Sequence, residues 1–265
     1  MDTKEMRKDL LKMALAAKSQ GAHMGGSLSL VEIMAALYGG TMSFAPDAPQ
    51  AEYRDRLILS KGHGVMAQYA ALKQVGLLSE DELLTYKANG SYVSAHPSVN
   101  PGLGIDFASG SLGQGLSQGV GVALALYKKG NESSRVFVIL GDGECDEGSI
   151  WEAAMTASHY RLANIVAVID RNRLQYDGNT EEVLALTDFS AKWKAFGWDV
   201  VTVDGHDVQA LMEAFRMHTE KPLAVIAETV KGKGFSFMEN IPQWHNGIVT
   251  QRLYEQGMAE VEAAE

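Results

Sequence analysis

Two polar triplets follow apolar runs and carry oxygen atoms suited to a divalent cation. Gly141-Asp142-Gly143 comes directly after the run 136–140, and Asp170-Arg171-Asn172 comes directly after the run 165–169. The first triplet supplies a carboxylate and the second an amide oxygen, which are hard ligands of the kind that Mg²⁺ takes. The glycine turn leaves backbone N–H groups free to bind a phosphate. The pattern predicts a metal–diphosphate site, and a plain strand-to-helix turn is the competing interpretation of the glycines.

The seven histidines fall into two groups by their local sequence. Those in loops flanked by glycine or proline are His23, His63, His96 and His245. Imidazole titrates near neutral pH, so a loop cluster of this kind suits proton transfer to and from a substrate. The remaining histidines are His159, His206 and His218. These lie in or next to predicted helices, where packing or capping is the plainer interpretation.

The elements that must position these residues alternate along the chain. Apolar runs rich in β-branched residues predict strands at 56–60, 136–140, 165–169, 199–203 and 223–228. Helical patterns predict helices at 2–19, 29–39, 64–75, 112–129, 148–161, 188–196 and 207–219, with another opening at Ser79. Capping boxes are predicted at Asp2-x-x-Glu5, Ser29-x-x-Glu32 and Ser79-x-x-Glu82. This order predicts an α/β fold with a parallel sheet and helices on both faces, so all the strand-end loops should line one edge.

The bulk properties narrow the class of protein. The 265 residues show no linker and no internal repeat, so we expect a single domain over 1–265 in which 235–265 is a loop and an acidic tail. The formal net charge of −10 argues against nucleic acid or an anionic membrane as partner. The one cysteine, Cys145, excludes an internal disulfide and is interpreted as structural. With no signal-like or membrane-spanning stretch, the expected location is the cytoplasm.

Further blocks give the chain a resemblance to a known family. The two triplets resemble the thiamine-diphosphate fingerprint of transketolases and of related decarboxylase and dehydrogenase subunits. The blocks that resemble transketolases, and in the same order, are Lys61-Gly62-His63-Gly64, Ser94-Ala95-His96-Pro97, Gly110-Ser111-Leu112-Gly113-Gln114-Gly115, Asp204-Gly205-His206-Asp207 and Trp244-His245-Asn246-Gly247. With His23 they extend over nearly the whole chain. The resemblance implies the thiamine-diphosphate-binding fold, in its diphosphate-binding domain.

The resemblance also implies roles for single residues. Metal ligands would be Asp142, Asn172 and the backbone carbonyl of Leu174, with Mg²⁺, Ca²⁺ or Mn²⁺ as the ion. Contacts with thiamine diphosphate would come from His63, Gly110, Leu112, Gly113, Gly143, Glu144, Asn172 and His245. Donor hydroxyls and the acceptor aldehyde would meet His23, His96 and His245, while the cofactor serves as the electron sink. Two assignments stay open: Glu147 and Glu152 are either interface carboxylates or ordinary helix charges, and Lys231 is either a cofactor contact or an exposed loop lysine.

The implied enzyme needs a second polypeptide. The resemblance covers only the diphosphate-binding domain, and the pyrimidine-binding domain would supply the activating glutamate and much of the sugar-phosphate pocket. We therefore expect the N-terminal subunit of a split transketolase, assembled as two copies of each chain. It would transfer a two-carbon ketol unit from a ketose phosphate to an aldose phosphate. The alternatives are a subunit of a deoxyxylulose-phosphate synthase or of an E1-type dehydrogenase, and a non-catalytic binding or regulatory subunit.

Overall fold

A five-stranded parallel sheet forms the centre of the computed structural model, which describes residues 1–131 and 133–263. In chain order the strands are β1 (Arg56–Leu59), β2 (Val136–Gly141), β3 (Ile165–Arg171), β4 (Leu174–Gln175), β5 (Gly178–Asn179), β6 (Asp199–Asp204) and β7 (Leu223–Glu228). The sheet has the order β1-β2-β3-β7-β6, and β4 pairs with β5 in a separate antiparallel hairpin. The predicted parallel sheet is confirmed.

Helices cover both faces of this sheet, as predicted. They are α1 (Thr3–Ala16), α2 (Met24–Leu28), α3 (Val31–Ala36), α4 (Val65–Gln74), α5 (Glu80–Leu83), α6 (Gly115–Lys128), α7 (Gly148–His159), α8 (Thr180–Val183), α9 (Phe189–Ala195), α10 (Val208–Phe215) and α11 (Gln251–Ala263). Successive strand side chains point to opposite faces, so each strand contributes to two apolar cores. In β2, for example, Phe137 and Ile139 join the core beneath α1, α3 and α4, whereas Val136 and Val138 join the core beneath α6, α7 and α9.

The capping boxes have different outcomes. Ser79 and Glu82 form the predicted box at the start of α5. The box predicted at Ser29 and Glu32 is wrong: α3 begins after Leu30 without a side-chain cap. Ser29 Oγ instead donates to a carboxylate oxygen of Asp170, 2.7 Å away. The carboxylate of Glu32 is likewise committed elsewhere, to an arginine and a histidine from distant elements. Partners brought close by the tertiary fold have replaced the local capping interaction.

The acidic end of the chain is ordered against the body of the protein. Helix α11 carries buried Gly257 and Val261, and a Cβ added at Gly257 would lie 2.9 Å from Leu11 of α1. The predicted loop and tail over 235–265 therefore contain a packed helix up to Ala263, and the last two residues lie outside the described part. Within the described ranges, no helix is long and apolar enough to cross a membrane.

Candidate functional site

The strand ends of β2 and β3 meet at one edge of the sheet, where they border a cavity of about 420 Å³. Register places Gly141 opposite Asp170, and Asp170 opposite Ala227, so three strands end at the same level. The cavity is lined by His23, Gly26, Lys61, His63, His96, Gly110, Leu112, Gly141, Asp142, Gly143, Glu144, Asn172, Leu174, Gln175, Tyr176, Asp177, Lys231 and His245. Every residue predicted for the site is among them except Gly113. Residues far apart in sequence thus surround one space.

The predicted metal ligands lie together, and their oxygen atoms are held by hydrogen bonds. The carboxylate of Asp142 accepts from the N–H of Gly143 at 2.9 Å and from the N–H of Arg173 at 2.6 Å. The amide oxygen of Asn172 accepts from the N–H of Leu174 at 3.1 Å. The carbonyl oxygen of Leu174 accepts from Lys231 Nζ at 2.8 Å. Carboxylate, amide and carbonyl oxygens are a hard donor set that suits Mg²⁺.

A buried ion pair supports this set from below. Asp170 is fully buried, and its carboxylate accepts from Lys61 Nζ, Thr229 Oγ1, Ser29 Oγ and Asn172 Nδ2. Burial alone would raise the pKa of Asp170, but the Lys61 ammonium and these donors hold it below its ordinary value. Burial, and next the charge of Asp170, raise the pKa of Asp142 to about 6. Lys61 and Asp170 therefore fix Asn172 and shape the charge of the site.

The four loop histidines form one cluster at the cavity. The ring of His23 lies 5.8 Å from that of His63, 5.5 Å from that of His96 and 5.7 Å from that of His245. The rings of His63 and His245 are 5.0 Å apart. This contact network brings together side chains from four separate loops, which the sequence predicted by context alone.

Burial keeps these imidazoles neutral. It lowers the pKa of His23 to about 4, with smaller contributions from His96, Lys87 and Lys231. It also lowers the pKa of His245 to about 4, with Lys231 as the next cause, and the pKa values of His63 and His96 in the same direction. Nδ1 of His23 is buried and has no hydrogen-bond partner among the described residues. Neutral imidazoles of this kind can both donate and accept a hydrogen bond, as the binding of sugar hydroxyls requires.

Glu144 holds the glycine-rich loop rather than standing free in the cavity. Its carboxylate accepts from Ser60 Oγ, from the N–H of Gly113 at 2.8 Å and from the N–H of Gly141 at 3.0 Å. Gly113 adopts φ +83°, and a Cβ there would lie 2.7 Å from Ser149 Oγ, so only glycine fits. A cofactor contact by Glu144 or Gly113 stays a prediction, and what the structure establishes is this loop-bracing network.

Sequence reasoning missed part of the site. Neither Lys61 nor Asp170 carries a sequence signal beyond its block or triplet, although the two side chains are buried and paired. The exposed-lysine interpretation of Lys231 is wrong, because this residue is 2% exposed. Nothing in the sequence pointed to Tyr176, yet its ring stands edge-on to His245 at 5.2 Å. Position in a glycine-flanked block was the only sequence signal for the two lysines.

Three acidic or thiol side chains have plainer outcomes. Cys145 is buried, and its thiol donates to the carbonyl oxygen of Gly141 at 3.4 Å. Burial raises the pKa of this thiol well above its usual value, which agrees with a structural residue. Glu147 and Glu152 are exposed on α7 and immediately before it, so both interpretations of them stay open. No group of three His, Cys, Asp or Glu residues that could hold a metal occurs in 1–131 and 133–263.

Comparison with known proteins places these residues in a family. The family model described as "Transketolase, thiamine diphosphate binding domain" matches residues 4–254. One of the two subunits of an apulose-4-phosphate transketolase from Phocaeicola vulgatus is 42% identical over 264 residues, covering 98% of this chain and 92% of that relative. A 6-deoxy-6-sulfo-D-fructose transketolase subunit from Clostridium sp. is 42% identical over 243 residues, covering 91% of this chain and 88% of that relative.

A solved structure agrees with these relatives. Transketolase from Campylobacter jejuni superposes with a TM-score of 0.89 at 25% identity. That similarity covers 99% of this chain but 43% of the solved chain. This chain therefore spans about two fifths of that transketolase, whereas it spans most of each subunit-type relative.

Proposed function

This chain belongs to the transketolase family, in its thiamine-diphosphate-binding domain, and we propose that it is the N-terminal subunit of a split transketolase. The assembled enzyme transfers a two-carbon ketol unit from a ketose to an aldose. The observation that carries the proposal is the meeting of the four loop histidines with Asp142 and Asn172 around one cavity at the sheet edge. The relatives from Phocaeicola vulgatus and Clostridium sp. have transketolase names, so they give no support to a synthase, a dehydrogenase or a non-catalytic subunit.

The residues present fit thiamine diphosphate and a divalent cation. Asp142, Asn172 and the carbonyl of Leu174 would hold Mg²⁺. The Leu174 oxygen already accepts from the Lys231 ammonium, so this oxygen faces positive charge. Gly143 offers close backbone approach, since a Cβ there would lie 2.8 Å from the side chain of Gln175. A diphosphate bound beside these groups would meet lysine charge and free backbone, which suits an anion.

The histidine cluster would handle the sugar. When bound, the cofactor supplies the nucleophilic carbon and the electron sink for carbon–carbon bond cleavage. His23, His96 and His245 would bind donor hydroxyls and the acceptor aldehyde, and would move protons at those oxygens. Their lowered pKa values keep them neutral at physiological pH, so each can exchange a proton with a hydroxyl without starting as a cation. Gly110, Leu112 and His63 line the same cavity and would contact the cofactor.

The second subunit completes the site. We propose that residues 1–265 form one diphosphate-binding domain, and that a pyrimidine-binding chain supplies the activating glutamate. An assembly of two copies of each chain in the cytoplasm, acting on sugar phosphates of the pentose-phosphate kind, is the simplest arrangement. The relatives named for apulose 4-phosphate and 6-deoxy-6-sulfofructose point to further donors worth testing.

The test is a ketol-transfer assay on this chain with and without its partner subunit. Xylulose 5-phosphate, apulose 4-phosphate and 6-deoxy-6-sulfofructose serve in turn as donor, with ribose 5-phosphate as acceptor and with thiamine diphosphate and Mg²⁺ present. Activity in the mixture and none in either chain alone is the expected result. A mixture that assembles but binds no thiamine diphosphate would refute the proposal, whereas binding without transfer would redirect it to another sugar.

A further inference from the structure

Behind the Lys231 loop, on the side away from the candidate site, three charged or polar side chains form a connected network. Nη2 of Arg7 lies 2.7 Å from Oε1 of Glu32, and Oε2 of Glu32 lies 2.9 Å from Nδ1 of His206. Arg7 and Glu32 are buried, and the side chain of His206 is 15% exposed. These residues come from α1, α3 and the loop after β6, so only the tertiary fold connects them. We call them the Arg7–Glu32–His206 network.

Both ends of this network bind the backbone of the same loop. Nε2 of His206 accepts from the N–H of Val230 at 2.8 Å. Nε of Arg7 donates to the carbonyl oxygen of Lys233 at 3.2 Å. A backbone N–H can only donate, so Nε2 is the acceptor, and Nδ1 carries the proton that it donates to Glu32. The tautomer of His206 is therefore set by its two partners.

Lys231 lies between the two bound positions. Its side chain is buried, and its ammonium contacts the Leu174 carbonyl at 2.8 Å and Nδ1 of His245 at 3.3 Å. Both contacts belong to the candidate site. A shift of the backbone at Val230 or Lys233 would move this ammonium, because the lysine has no freedom to rotate away inside the packed loop. Holding the loop thus decides where the positive charge sits.

We propose that Arg7, Glu32 and His206 are positioning residues that hold the Lys231 ammonium against the cofactor's diphosphate. The hydrogen bond from Val230 to His206 is the decisive contact, because it fixes the residue next to Lys231. This inference rests on the proposed cofactor site. It replaces the packing or capping role that the sequence suggested for His206, since Asp207 caps α10 and His206 joins two loops.

Two substitutions of His206 separate its two hydrogen bonds. In His206→Gln the amide oxygen reaches approximately the position of Nε2, so the acceptor for Val230 is kept. In His206→Asn the shorter side chain reaches only the position of Nδ1, so the bond to Glu32 is kept and Val230 loses its acceptor. The side chains of the network also line a cavity of about 800 Å³, so a shorter residue leaves room for water rather than forcing the fold to collapse. His218→Gln, at an exposed histidine, is the matched control.

Two measurements read the effect independently of activity. The first is hydrogen exchange at the Val230 amide in this chain, with the amides of β3 as internal reference. We expect about tenfold faster exchange at Val230 in His206→Asn, near-wild-type exchange in His206→Gln, and no change in β3. The second is the Kd of thiamine diphosphate with Mg²⁺ in the complex with the partner subunit. We expect about tenfold weaker binding in His206→Asn and less than about twofold in His206→Gln, since tenfold corresponds to the loss of roughly one hydrogen bond.

The outcomes separate this inference from the proposed function. If the wild-type complex binds no thiamine diphosphate, the proposed function fails, and the positioning role falls with it even if exchange at Val230 changes. If the wild type binds and His206→Asn matches it in both measurements, the positioning role is refuted while the proposed function stands. Faster exchange throughout β3 in His206→Asn would also refute it, because His206 would then serve only general stability.

Discussion

Replacing Lys61 by methionine should destabilise the protein strongly, because Asp170 would be left as a buried carboxylate without a counter-charge. Lys61 is 1% exposed and Asp170 is fully buried. In Lys61→Met the carboxylate keeps its hydrogen bonds from Ser29, Asn172 and Thr229 but loses the ammonium, and the Gly26 carbonyl oxygen loses the same donor. Removing one partner of a buried ion pair costs about 3–5 kcal/mol.

The expected loss can be read as a melting temperature. For a domain of this size about 1 kcal/mol shifts the Tm by about 2 °C, so Lys61→Met should lower it by about 6–10 °C. The assay is thermal unfolding followed by the fluorescence of the buried Trp193 and Trp198. The matched control is Lys221→Met, because Lys221 lies 3.9 Å from Asp199 in an exposed pair, where a loss of less than about 1 kcal/mol is expected.

The pH dependence supplies a second check. In the wild type, the lowered pKa of Asp170 contributes stability that is present above its unfolded-state pKa and is lost as pH falls. In Lys61→Met the pKa of Asp170 should instead be raised, so protonation relieves the unpaired charge and the difference from wild type should shrink between pH 8 and pH 5. Equal Tm values for Lys61→Met and Lys221→Met at pH 8 would refute the buried-pair reasoning.

Three further predictions address the metal site, the packing of α6 and the histidines. Asp142→Ala should abolish Mg²⁺-dependent retention of thiamine diphosphate in the assembled complex, and equilibrium dialysis showing unchanged retention would contradict the ligand assignment. In α6, Gly119→Ala should destabilise by about 1–3 kcal/mol in urea unfolding, because its Cβ would lie 2.4 Å from a valine of β2. Gly121→Ala, with open space around it, should stabilise by about 0.5–1 kcal/mol, so equal signs for the two variants would be inconsistent with this packing. NMR titration of His23 and His245 should give midpoints near pH 4, so their contribution to stability is complete above the ordinary histidine pKa of about 6.5 and is lost as pH falls toward 4. Midpoints near 6.5 would show that these rings are solvated.

The course of the chain through the sheet could be predicted from the sequence, because it depends on local patterns. Buried parallel strands need uninterrupted apolar runs, and those runs end at Gly141 and Asp170, so the site had to lie at that edge. Glycine- and proline-flanked blocks likewise indicated the loop histidines. Residue type and neighbours within a few positions were sufficient for both predictions.

The polar partners within the fold were decided by the tertiary structure alone. Ser29 and Glu32 have the spacing of a capping box, yet their partners are Asp170 and His206, more than a hundred residues away in sequence. The Lys61–Asp170 pair joins residues separated by a similar distance along the chain. A buried polar group takes whichever partner the packed elements bring into hydrogen-bonding geometry, and no pattern of neighbours along the chain encodes that orientation.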